Sequence, residues 1–173
     1  MDAVERVAPP SSQLPPLPPF VPSRGLPRPL AALGSGVAGA LALNLLHEGA
    51  RKGGVPHAPQ VQKLGERGVA RLVRLLGGRP PRGKRLYRWA LAGDLLSNGL
   101  FYALVGVAGA RRAWWTGGTL GALAGAGAVA LPPKLLLGWG PTRRTRPTQA
   151  MTVLWYLAGG LAAAGTYRRL AAR

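Results

Sequence analysis

Four stretches of this chain are nearly free of charge: Leu30 to Leu46, Trp89 to Ala110, Ala113 to Pro133 and Ala150 to Tyr167. Each approaches the ~20 apolar residues that carry an α-helix across ~30 Å of hydrocarbon. The pattern predicts an all-α polytopic membrane protein, a four-transmembrane-helix bundle with spans over about 30–48, 88–110, 113–133 and 149–167. The first run contains Ala40-Leu41-Ala42, which would suit a signal-peptide cleavage site. The region before it is long and proline-rich rather than short and basic, which favours retention as the first span.

A different period occupies the connector between the first two runs. QVQKLGERGVARLVRLL places Val61, Leu64, Val69, Leu72, Val73, Leu75 and Leu76 toward one side, with Lys63, Glu66, Arg67, Arg71 and Arg74 on the other. This predicts a basic amphipathic surface helix over about 60–76, started near Pro59 and stopped by Gly77, Gly78 and Pro80. Two placements fit it. Either it lies at the headgroups with Arg67, Arg71 and Arg74 toward anionic lipid, or it caps the bundle. Residues 1–29, containing PPSSQLPPLPPFVPSRGLPRP, read as a disordered proline-rich tail preceding a membrane domain over 30–173.

Charge sharpens the picture. The chain carries 23 Lys and Arg against 5 Asp and Glu, a formal +18. A nucleic-acid binder would spread such charge over its helices, whereas here it collects between apolar runs, so the expected partner is anionic lipid and not nucleic acid. Fifteen of the 23 basic residues fall in the first and third connectors. The positive-inside rule then puts the 49–87 loop in the cytoplasm and both termini outside, in the cytoplasmic membrane of a prokaryote. Cysteine is absent, which excludes disulfides and thiolate metal sites.

In lipid, small residues let helix backbones approach. Gly117, Gly121 and Gly125 recur every four residues in the third run; Ser35 and Gly39 serve the first, and Gly159 and Gly160 the fourth. This groove could take a helix of the same chain, a second copy or another membrane subunit. Tyr87, Trp89, Trp114, Trp115 and Trp139 suit interfacial aromatic belts, while Trp155 and Tyr156 lie deeper as packing residues.

The candidate chemistry is one-sided. In an up-and-down bundle the end of the first span meets the start of the second, and likewise for the third and fourth. Asn44, His47 and Glu48 close the first run, Asp94, Ser97, Asn98 and Tyr102 occupy the second, Lys134 ends the third, and Gln149 and Thr152 open the fourth, beside Thr148. An ionised Asp in hydrocarbon is costly and must face protein or water. Candidate partners for Asp94 are Lys134, Asn44, Ser97 or a proton, with His47 as a proton partner. Such a cluster serves either to pin helices in register or to bind a proton, ion or small solute. HEGAR lacks a second His at i+4, and no triad or paired acids stand out, so no catalytic residue, metal or cofactor is assigned. The expected function is a small oligomeric transporter or channel with a polar pocket in one leaflet. The alternatives are a non-catalytic accessory or assembly subunit of a membrane complex, and a lipid-modifying enzyme using His47 and Glu48 as an acid–base pair.

Overall fold

The computed structural model describes residues 25–171, and among these the regular structure is entirely helical. The proline-rich tail therefore lies outside the described residues up to residue 24. Helix α1 (Arg28–Lys52) starts with a proline in its first turn and ends with Arg51 and Lys52, cations that suit the negative end of the helix dipole. Helix α2 (Val61–Leu75) is the amphipathic element, followed by Gly77 in the left-handed region. Helix α3 (Gly83–Ala103) passes through a short 3-10 segment, Leu104–Ala108, into α4 (Gly109–Lys134). A single turn, α5 (Gly140–Arg143), precedes α6 (Arg146–Ala171). Two helical stretches are long and apolar enough to cross a membrane, Arg28–Lys52 and a window within Gly83–Lys134.

The turn between α3 and α4 differs from the expectation. The apolar run predicts one span to residue 110 with Arg111 and Arg112 as connector. Instead the helix ends at Ala103, Gly109 reverses the chain at φ 74°, and both arginines belong to the first turn of α4. Gly106 is required there because a Cβ would meet Ala32 Cβ at 2.7 Å. Glycine turns of this kind leave no trace in hydropathy.

Contacts fix the helix directions. Asn44 meets Asp94 and Gly36 meets Gly99 and Ala103, so α1 and α3 are antiparallel. Gly39 meets Gly159 and Ala163 of α6, and the Leu26 amide donates to the Leu170 carbonyl at 3.2 Å, so α1 and α6 are antiparallel too. Gly117 meets Gly160 while Gly125 meets Val153, which runs α4 against α6. The lateral order is thus α3, α1, α6, α4, with direction alternating along the sequence. Helix α2 packs on α3, where Gly65 faces Ala90.

The interior is made of small and hydroxylated residues. Ala31, Ser35, Gly39 and Leu43 are buried at intervals of four on α1, as are Ala113, Gly117, Gly121 and Gly125 on α4. A Cβ at Gly117 would stand 2.4 Å from the Gly160 carbonyl oxygen, and one at Gly39 would stand 2.7 Å from that of Gly159. Consecutive glycines of α6 therefore serve opposite neighbours, α1 and α4. The glycine groove read from the sequence is filled by a helix of the same chain. Large apolar side chains instead face outward on all four long helices: Leu33, Val37, Leu41 and Leu45, Leu96 and Leu100, Trp115 and Leu123, Leu154 and Leu161 are exposed.

Pro132 and Pro133 do not end α4, which continues through Lys134. Pro132 lacks the N–H that would reach the Ala128 carbonyl. The Thr142 hydroxyl takes that place, donating to Ala128 O at 2.6 Å, and Thr142 is itself buried. The freed carbonyl is thus satisfied within the chain.

Candidate functional site

The antiparallel pairing of α1 with α3 brings their polar residues together near the end of α1. Asn44 Nδ2 donates to Asp94 Oδ2 at 2.8 Å and also to the Ala40 carbonyl at 3.0 Å, which fixes the amide. Asn98, one turn deeper on α3, donates to Asp94 Oδ1 at 3.0 Å. Each carboxylate oxygen therefore receives one side-chain amide. Among the described residues no cation pairs with Asp94; the ion pairs there join Glu48 to Arg51 and Lys52. An ionised group in a poorly solvated site normally keeps a charged partner, so amides alone are an unusual escort for a carboxylate.

Asp94 and Asn44 line a cleft of about 610 Å³ between α1, α3 and the 53–63 connector. His47, Glu48, Arg51 and Tyr87 line it as well, as do Lys63 from the first turn of α2 and His57 and Arg144 from the connectors. Its walls are apolar, from Leu41 and Leu45 on one side and Leu91 and Leu95 on the other. The connector is tied at the same end by one backbone and one side-chain bond: Gln60 N–H donates to Pro141 O at 2.7 Å, and the Thr148 hydroxyl donates to His57 O at 2.9 Å. His57 occupies the left-handed region at φ 61°, which turns the chain back toward α2.

His47 and Glu48 are adjacent in sequence but differently engaged. The His47 ring packs edge-on against Trp155 and Tyr156, with centroids 5.1 and 5.9 Å away, and its buried Nε2 has no hydrogen-bond partner among the described residues. Glu48 is chelated by Arg51, with Nε at 2.8 Å. No hydrogen bond joins His47 to Glu48 or to Asp94.

The remaining polar residues of the sequence reading fall elsewhere. Ser97 is exposed and donates to the Asp94 backbone carbonyl rather than to its carboxylate. Tyr102 is fully buried and donates to the Tyr156 carbonyl at 2.8 Å, which ties α3 to α6 across α1. Thr152 donates to the Thr148 carbonyl at 2.7 Å, and Gln149 to the Arg143 carbonyl at 3.3 Å. The Thr152 bond stays within α6, the Gln149 bond ties α6 to the turn before it, and neither residue lines the cleft. Lys134 is exposed at the end of α4 and does not meet Asp94. The pairing of Asp94 with Lys134 considered from the sequence is replaced by Asn44 and Asn98, because α4 and α3 are the outer helices of the row.

Sequence reasoning did not bring Lys63 and Arg144 to this cleft, and it read Tyr87 as an interfacial aromatic. Their convergence depends on how two connectors fold over each other, which no local spacing encodes. Among the described residues no three His, Asp or Glu side chains form a metal-ligand group. No family model, curated protein or solved structure matches this chain.

Proposed function

We propose that the protein is a four-span membrane protein that binds a small cationic solute, or a proton, at Asp94 and exchanges it through the cleft on the basic face. The four-span placement is supported by the sorting of side chains. Glycine, alanine and hydroxylated residues fill the interior, while Leu, Val and Trp cover the outside of all four long helices, the arrangement expected where lipid replaces water. The long helices have 21 to 26 residues, or ~31 to 39 Å at 1.5 Å per residue, enough to cross the hydrocarbon.

One observation carries the functional reading: a carboxylate held by two amides at the wall of an open cleft, with no cation paired to it among the described residues. Both amides orient the carboxylate without neutralising it. The solute supplies the ion-pair partner that Asp94 lacks among the described residues. Lys63 and Arg144 line the same cleft and suit an anionic group at the other end of the solute. Sidedness follows the positive-inside rule, with the cleft and its basic connectors in the cytoplasm.

The accessory-subunit reading loses one of its two docking surfaces, since the glycine groove, unlike the basic helix, is occupied by α6 of the same chain. The acid–base pair of an enzyme would need His47 and Glu48 acting on one site, whereas one packs on aromatics and the other holds Arg51.

The test is a thermal midpoint in mild detergent with small primary amines and alkali cations added singly, on wild type and on Asp94→Asn. At least one cation raises the wild-type midpoint, and the variant keeps its helical signal but loses the response. By linkage, ligand at 100 times its Kd stabilises by ~2.7 kcal/mol. An unchanged response in Asp94→Asn, or none in wild type together with no proton uptake by reconstituted vesicles, refutes the reading.

A further inference from the structure

A second recess lies on the same end of the molecule, between α2, the beginning of α3 and the loop after α4. We propose that it binds the headgroup of an anionic phospholipid. The recess measures about 640 Å³ and is lined by Lys63, Arg67, Arg71 and Arg74, four cations along one side of α2. Its other lining is aliphatic: Leu75, Leu86, Leu136 and Leu137. Glu66 is the one acid there, and its carboxylate accepts from Gln62 at 2.9 Å rather than from an arginine. Among the described residues none of these cations has an ion-pair partner, so nothing there neutralises them.

The apolar wall is built rather than incidental. Leu136 adopts φ 55°, a conformation that costs a branched side chain energy. It is held there by Leu136 N–H to Pro133 O at 3.1 Å and Leu137 N–H to Pro132 O at 2.8 Å. Arg67 Nη1 donates to the Leu137 carbonyl at 2.8 Å, which docks this loop against α2. The result leaves Leu136 73% exposed and Leu75 72% exposed beside a cluster of arginines. A soluble anion would find four cations but no use for exposed leucines. A phospholipid satisfies both, with phosphate against Arg71 and Arg74 and acyl chains over the leucines. This inference rests on the membrane placement above, but not on the Asp94 site.

Native mass spectrometry of the detergent-released full chain tests it, titrating phosphatidylglycerol and phosphatidylcholine of identical acyl chains. Wild type retains phosphatidylglycerol at roughly tenfold lower concentration, and Arg71→Gln combined with Arg74→Gln removes that preference. Asp94→Asn keeps it, so failure of the solute reading leaves this result standing. Equal retention of the two lipids overturns the proposal, as does an undiminished preference in the double variant. Complete displacement by inorganic phosphate also overturns it, since the site would then recognise a free anion and not a lipid.

Discussion

Asn44 and Asn98 illustrate how few atoms define the site. Each donates one amide hydrogen to a different oxygen of Asp94, and Asn44 is anchored by its own helix through Ala40. Replacing either by Ala leaves a carboxylate oxygen with one donor fewer, at an expected cost of ~1–3 kcal/mol. Unfolding in mixed detergent micelles would measure it, and a cost below the error for both variants would mean that water substitutes for the amides. A second residue-scale prediction concerns Thr142. Thr142→Val strands the Ala128 carbonyl that Pro132 cannot serve and loses ~1–3 kcal/mol, whereas Thr142→Ser retains most of the stability. At this scale the sequence was readable where partners share a helix or meet across an antiparallel pair. Asn44, Asp94 and Asn98 were found that way. Gln149 and Thr152 share that end of the molecule but stay out of the cleft, because a polar side chain near a helix start has nearby backbone carbonyls to satisfy it, and both do so.

Between helices, packing is decided by which glycines face a neighbour and which face outward. Gly117 and Gly118 are adjacent on α4, yet an added Cβ at the first would press on Gly160 O at 2.4 Å while one at the second would touch nothing within 4 Å. Gly117→Ala should therefore push α4 off α6 and cost ~1–3 kcal/mol. Gly118→Ala should be neutral or stabilise by up to ~1 kcal/mol through helix propensity. Thermal midpoints of the two variants separate these outcomes; equal midpoints would show that α4 and α6 are not held by close backbone contact. The glycine face of α4 was evident from its spacing of four. Its partner was not, since three helices display small-residue faces of similar quality and composition cannot rank them. The end of α3 was missed for a related reason. Gly106 and Gly109 belong to an unbroken apolar run, and only a positive φ at Gly109 marks the turn.

For the whole molecule, alternation of helix direction puts the 53–82 and 135–145 connectors at one end and the 104–109 turn at the other. The absence of cysteine makes this directly measurable. In Gly54→Cys, Arg144→Cys and Ala108→Cys, a membrane-impermeant maleimide applied to sealed vesicles should label residues 54 and 144 from one side and residue 108 from the opposite side. Labelling of all three from the same side would remove the four-span placement. The number of elements and the gathering of polar residues at one end could be inferred from lengths of apolar runs, because alternation follows from short connectors. The lateral order could not. The outward leucines and inward glycines carry one further consequence, for calorimetry. Within a bilayer, pulling these helices apart moves leucine from lipid to lipid and exposes little apolar surface to water. The heat-capacity increment that curves the stability of water-soluble proteins would then be small. Stability should decline almost linearly on warming, and cooling should not bring a second, low-temperature loss of structure.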